Sequence, residues 1–338
     1  MLDTFLFAFN AIVPIVVIIF LGYFLKWIKL LNDNFLNIAN KLVFKVFLPC
    51  MLFYNIYSVE SFDSIDWSIV VFVVSSIIIT FVLGIIICKF AVKDNKQKGV
   101  VLQCIFRSNY AIIGMSLSEA LGGASGLKVA SVLMGFTIIP FNILSVFALM
   151  MFNKEAGVKP DYKKMLKSIV TNPLIIASVL GLIFLGFREL IPVNDQGNLV
   201  FSFSRDLPFI FLPIVTLSKA ANPVALIVLG GKLNFSSIKS MIKPLVGATL
   251  ARLVIVPAIA LTIAILLSNY TSYFNFDKTV YPALVAIFGS PVAVSSAIMA
   301  REMDNDAELA GQLVVWTSIL SIVSLFIIVL ILRSMALL

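Results

Sequence analysis

The chain has 338 residues, 61% hydrophobic and 12% charged, with a formal net charge of +8. Soluble domains run nearer ~45–50% apolar and ~25% charged, so a water-soluble globule is excluded and an integral membrane protein is expected. The alternating apolar and polar segments of about ten residues that would mark an outer-membrane barrel do not occur.

A helix crosses the bilayer core with about 20 apolar residues rising about 1.5 Å each. Ten stretches of that kind lie near 5–25, 36–57, 68–90, 100–121, 127–152, 168–187, 208–231, 244–268, 279–300 and 309–332. The predicted fold class is an all-α integral membrane protein of ten transmembrane helices. The first span follows Asp3 rather than a basic segment and is too long for a signal-peptide core, so it is expected to be retained. Span 2 starts with Lys41 and Lys45, which can snorkel to the cytoplasmic interface, as can Arg252 in span 8. Span 4, VVLQCIFRSNYAIIGMSLSEAL, is too polar and glycine-rich for a plain anchor, and Gly122, Gly123 and Gly126 after it read as a turn. Span 9, TVYPALVAIFGSPVAVSSAIMA, is its counterpart in the second half.

Charge distribution predicts topology. Of the 25 Lys and Arg, fifteen fall in the odd-numbered connections, five in the even connections and tails, and five inside spans. By the positive-inside rule both termini lie outside and the odd connections face the cytoplasm, in a multi-pass protein of the cytoplasmic membrane. The Lys-free connection carrying Glu60, Asp63 and Asp66 agrees. This pattern also removes the nucleic-acid reading of the positive charge.

Spans 4 and 9 align with Ile105-Phe106-Arg107-Ser108-Asn109-Tyr110-Ala111 against Ile287-Phe288-Gly289-Ser290-Pro291-Val292-Ala293, identical at four of seven positions. Spans 1 and 6 share a second spacing, Pro14 to Gly22 and Pro173 to Gly181. Five spans is an odd number, so a second copy starts from the opposite side of the membrane. Residues 1–152 are therefore expected to form a first five-helix repeat, 153–167 a short charged cytoplasmic linker, and 168–338 a second, inverted repeat. Breakable polar helices at matching places in two such halves point to a midplane binding site in a secondary transporter.

A charge at membrane depth costs about 2.5–3.5 kcal/mol on insertion scales. Arg107 and Lys219 lie far from either end of their spans, and each either meets the transported solute or belongs to a structural hydrogen-bond network. All 17 acidic residues fall in connections, tails or span ends, Glu119 being the deepest. A cationic interior favours an anionic substrate over a midplane carboxylate that carries a proton or sodium ion, although carbonyls and hydroxyls can also hold sodium. In span 9, Gly289-Ser290-Pro291 interrupts the helix and frees N–H groups beyond the break. Small residues Val292, Ala293 and Val294 with Ser295 and Ser296 let a carboxylate approach them; the competing reading is a Pro kink that allows close packing. Span 4 has no proline, but Arg107, Ser108, Asn109, Gly114 and Ser116 can serve with side chains.

No His is present, and Cys50, Cys88 and Cys104 have no ligand spacing, so no metal or cofactor is expected and the cysteines read as packing residues. No nucleotide-binding loop, HExxH-like or GxSxG-like motif, or paired carboxylates occur, which weighs against an ATP-driven pump and against an enzyme.

The run Asn109-Tyr110-Ala111-Ile112-Ile113-Gly114-Met115-Ser116-Leu117 resembles the auxin efflux carrier family pattern, with Ser116 standing where that pattern has Pro. Asn172-Pro173 with Gly181, Asn222-Pro223 to Gly230-Gly231, and Pro291 followed by Ala300-Arg301-Glu302 and Asp304 are similar to its second half, so the resemblance spans essentially the whole chain. It implies spans 4 and 9 broken and crossing near the midplane, a scaffold and homodimer surface from spans 1, 2, 6 and 7, and a moving body from spans 3–5 and 8–10. It also implies a small carboxylate substrate, as in bacterial malate or malonate carriers and plant auxin exporters. Asn109 and Pro291 would mark the crossover, with Ser108, Tyr110, Ser290 and Ser295 as substrate contacts. The expected function is elevator-like carriage of a small organic anion, with proton or sodium coupling open. The alternatives are a sodium-coupled symporter of the bile-acid type and a non-transporting membrane sensor.

Overall fold

In a computed structural model the backbone is described for residues 2–58, 66–152, 167, 170–192, 199–233 and 238–338, and side chains for these except 2–12, 15–16, 111–112, 115–116, 131 and 238–240. The expected linker 153–167, apart from Lys167, lies outside the described residues. The described residues form helices and no sheet.

Helix α1 (Leu2–Trp27) is followed by a continuous rod made of α2 (Asp33–Leu42), a π-turn (Val43–Phe47) and α3 (Leu48–Tyr57). Asn32 starts that rod by accepting the Phe35 N–H at 2.8 Å. The π-turn has a local cause. Pro49 lacks an N–H and its ring crowds the carbonyl four residues back, that of Lys45, and the widened turn relieves that clash. The same arrangement recurs where α10 (Ile238–Leu250) passes through a π-turn at Ala251–Ile255 into α11 (Val256–Tyr270), two residues before Pro257.

Between these rods run α4 (Trp67–Ala91), capped by Asp66 on Ser68, then α5 (Asn95–Phe106), a π-turn at Tyr110–Gly114 and α6 (Met115–Met151). Gly123 alone within α6 leaves helical geometry, at φ 60°. A Cβ on Gly126 would sit 2.5 Å from Ser118 O, whereas eight residues of straight helix rise about 12 Å, so the chain doubles back at Gly123. The second half contains α7 (Pro173–Glu189), the short α8 (Phe203–Asp206), α9 (Pro208–Gly231), α12 (Tyr281–Gly289), α13 (Val294–Glu302) and α14 (Ala307–Ser334).

Among the described residues, six helical rods are long and apolar enough to cross a membrane: 33–57, 67–91, 132–151, 208–231, 241–270 and 307–334. Their outer faces are apolar. Ile78, Ile79, Val82, Leu83, Ile86 and Ile87 of α4 stand exposed together, a surface that suits lipid and not water. Helices α1 and α9 cross at glycines: a methyl on Gly22 would collide with Ile227 O, and one on Gly230 with Ile19 O. Where α3, α7, α8 and the start of α9 meet, Phe53, Tyr57, Phe184, Phe203 and Phe211 pack edge to face.

Helix α12 is the most interior element, with every residue from Tyr281 to Gly289 buried.

Candidate functional site

Two interrupted helices meet inside the molecule. Helix α5 ends at Phe106, and Arg107, its C-cap, is extended at φ −88° and ψ 123°; helical geometry returns at Tyr110. Helix α12 ends at Gly289, Ser290 is extended, and α13 begins at Val294. The two gaps pair with each other: Asn109 N donates to Pro291 O at 2.8 Å, and Ser108 and Val292 form an antiparallel bridge. Val292 N, freed by the break, reaches Thr317 Oγ1 of α14 at 3.3 Å. Span 4 breaks without a proline, and it breaks at 107–109, well before Ser116. Ser116 itself lies in the first turn of α6, its side chain outside the described residues.

Against this crossing lies a cavity of about 460 Å³, counting its open mouth. The crossing supplies Arg107, Ser108, Asn109, Tyr110 and the start of α13, Ala293, Val294 and Ser295. The facing wall is Leu48, Met51 and Leu52 of α3, Ile138, Phe141 and Asn142 of α6, and Asn222 of α9. The site is thus polar on one side and apolar on the other.

Arg107 is the only charged residue lining this cavity among the described residues. It is 5% exposed and donates to Asn142 Oδ1 at 2.9 Å, Ser295 Oγ at 2.8 Å and Met299 Sδ at 2.7 Å. All three partners are neutral, and no carboxylate pairs with Arg107 among the described residues. Beside it, Ser108 Oγ and Asn109 Nδ2 are buried with no hydrogen-bond partner among the described residues. Chemically, a charge held by neutral dipoles next to unspent polar atoms can take an anion as its countercharge.

The other expected site residues are distributed unevenly. Tyr110 lines the cavity, but its hydroxyl donates to Ala130 O at 2.9 Å and is spent there. Gly114 supports it, since a Cβ at that position would strike the Tyr110 ring. Ser290 and Pro291 belong to the crossing without lining the cavity, and Gly289 packs on Leu325, 2.8 Å from where its Cβ would be. Lys219 does not join them. It is exposed on α9, one turn before Asn222, and outside the cavity lining.

Three residues that the structure brings to the cavity or the crossing are not singled out for the site by the sequence. Asn142 and Asn222 are amides inside apolar spans, each next to a proline or one residue from it, and that intramembrane polarity was the available signal. Arg252 is the larger correction. Expected to snorkel like the exposed Lys41 and Lys45, it is instead 1% exposed and donates through Nε and Nη2 to Ser290 O at 2.9 and 2.7 Å and through Nη2 to Ile287 O at 2.9 Å. The π-turn at Ala251–Ile255 that holds it turns the guanidinium inward.

A second cavity lies where α2, α9, α13 and α14 converge, lined by Asn40, Lys232, Arg301 and Glu308 among others. Its cations come with carboxylates: Glu308 lines it with Lys232 and Arg301, Asn40 Nδ2 donates to Glu302 Oε1 at 2.6 Å, and nearby Asp33 is paired with Lys26 at 2.6 Å. That mixture does not favour an anion as the first cavity does.

A family model described as membrane transport protein matches residues 7–329. The chain is 25% identical to an uncharacterized transporter of Methanothermobacter thermautotrophicus, covering 94% of this chain and 95% of the relative. It is 23% identical to an uncharacterized transporter of Methanocaldococcus jannaschii, covering 93% and 95%.

Proposed function

The chain belongs to the auxin efflux carrier family of membrane transport proteins, and on that premise we propose that it is a secondary carrier of a small carboxylate across the cytoplasmic membrane. The observation that carries the reading is Arg107, buried in the cavity at the crossing with neutral partners only among the described residues. The substrate carboxylate would sit against its guanidinium. The start of α13 adds the positive end of a helix dipole, and Asn109 Nδ2 an unspent donor. The apolar wall of Leu48, Met51, Leu52, Ile138 and Phe141 would take the body of the acid. One cation suits one carboxylate group, so a second carboxylate on the same molecule would have to rely on the amides of Asn142 and Asn222.

The paired interruptions support a ten-helix arrangement of two inverted repeats, and the Lys and Arg distribution supports termini outside with a cytoplasmic linker between the repeats. In that arrangement the body carrying the crossing would slide past a homodimeric scaffold of α1, the α2–α3 rod, α7 and α9, moving the site between the two faces. The test is counterflow in proteoliposomes against a panel of mono- and dicarboxylates, with Arg107→Gln beside the unaltered protein. Exchange of a carboxylate that collapses in the variant supports the reading. Exchange of none, or equal exchange by both proteins, overturns it.

A further inference from the structure

Broken helices leave carbonyl oxygens without partners at the end of each first half, and those oxygens carry the negative end of a helix dipole. In carriers built this way such carbonyls are where a coupling cation binds. Here the position is filled from within the chain. Arg252 Nε and Nη2 meet Ser290 O, Nη2 also meets Ile287 O, and Nη1 makes a longer 3.5 Å contact with Ile105 O. Ile287 and Ser290 close α12, and Ile105 lies one residue before the end of α5, so one side chain serves the negative ends of both interrupted helices.

We infer that Arg252 is a tethered cation standing in the place of an exchangeable coupling ion, so that sodium neither binds at the crossing nor drives this carrier. The proposal rests on the carrier reading above but not on the identity of the substrate. A guanidinium stays protonated in proteins, and its planar fork matches several carbonyls at once, so the countercharge never leaves during a cycle. The two buried arginines thereby divide the work. Arg252 spends its donors on backbone carbonyls and holds the break together, while Arg107 faces the cavity with side-chain partners that a ligand can displace. The same occupancy separates this chain from a sodium symporter of similar outline.

The experiment uses the purified full chain and needs no substrate. Thermal unfolding is followed in sodium chloride, choline chloride and choline chloride with millimolar guanidinium, and binding of radioactive sodium is measured by scintillation proximity. The unaltered protein is expected to melt at the same midpoint in sodium and choline and to bind no sodium saturably; saturable sodium binding overturns the proposal. Arg252→Ala is expected to melt several degrees lower and to recover most of the loss with guanidinium, the free ion re-entering the vacated position. A loss that no cation restores shows a packing role only. Should Arg252→Ala not be obtainable, Arg252→Lys and Arg252→Met decide: the Lys variant is expected to be clearly the more stable, and equal stability of the two overturns the proposal. Sodium binding together with Arg107-dependent carboxylate binding would remove the tethered-cation inference and leave the carboxylate reading standing.

Discussion

The backbone N–H of Asn109 donates to the carbonyl of Pro291 at 2.8 Å, joining two residues from opposite halves of the chain at the points where their helices are interrupted. Each gap satisfies part of the other's hydrogen bonding, so neither break is independent. Buried backbone groups left without partners cost free energy comparable to a lost hydrogen bond, and the pairing avoids that in the interior of the protein.

Substitution at this joint should therefore stop transport before it stops folding. Asn109→Leu keeps the backbone bond and removes the free Nδ2, and Pro291→Ala restores an N–H that lets α12 run on as helix. Each is expected to cut uptake at least tenfold at unchanged membrane abundance, read by proteoliposome flux against immunoblot. Near-normal flux in both variants would move the site elsewhere.

Much of this joint was legible in sequence because membranes tolerate few polar residues, so Arg107-Ser108-Asn109 and Ser290-Pro291 stand out against apolar neighbours wherever they point. Direction was the hidden quantity. Lys219 and Asn222 are three residues apart on one helix, yet Asn222 lines the cavity and Lys219 is exposed outside it. Arg252 could be placed at depth but not turned inward, because the π-turn that aims it is set by Pro257 further along and by packing against α12. The break in span 4 has no proline to announce it; it is fixed by its partner strand segment at Pro291, a contact between halves.

Arg107→Gln should weaken carboxylate binding tenfold or more, at least about 1.4 kcal/mol, because removing one charge of a desolvated pair strands the other. Lys219→Gln, outside the cavity, should leave affinity within about twofold, a change worth no more than ~0.4 kcal/mol. Isothermal titration or ligand-dependent melting of both variants makes the comparison. Equal losses would mean that the substrate reaches α9 beyond Asn222.

Gly230→Val should be among the most destabilising single changes outside the site. Overpacking typically costs about 1–3 kcal/mol, and here the obstacle is the backbone oxygen of Ile19 rather than a side chain that can swing away. Gly186→Ala, where nothing lies within 4 Å of the new methyl, is the matched control. Melting midpoints in detergent should separate the two by several degrees, and coincident midpoints would show that α1 and α9 slide freely.

The proposed topology places residue Asp63 outside and Lys163 inside, both beyond the described residues. A cysteine at Asp63 should react with an impermeant maleimide on intact cells, and one at Lys163 only after permeabilisation. The reverse pattern would invert the proposed orientation.

Helix α12 has nine residues, about 14 Å of rise against a hydrocarbon core of ~30 Å, and all nine are covered by the rest of the protein. It can neither span the bilayer alone nor meet lipid, so it has no stable existence as a separately inserted segment. Its neighbours α6 and α11 precede it in the chain, whereas α14, another wall, follows it. Biogenesis of this chain is therefore expected to follow an order, in which the central segment is fully enclosed only once α14 has been made. Truncation before Ala307 is accordingly expected to strip α12 of one of its covering helices and to leave the centre of the protein uncovered.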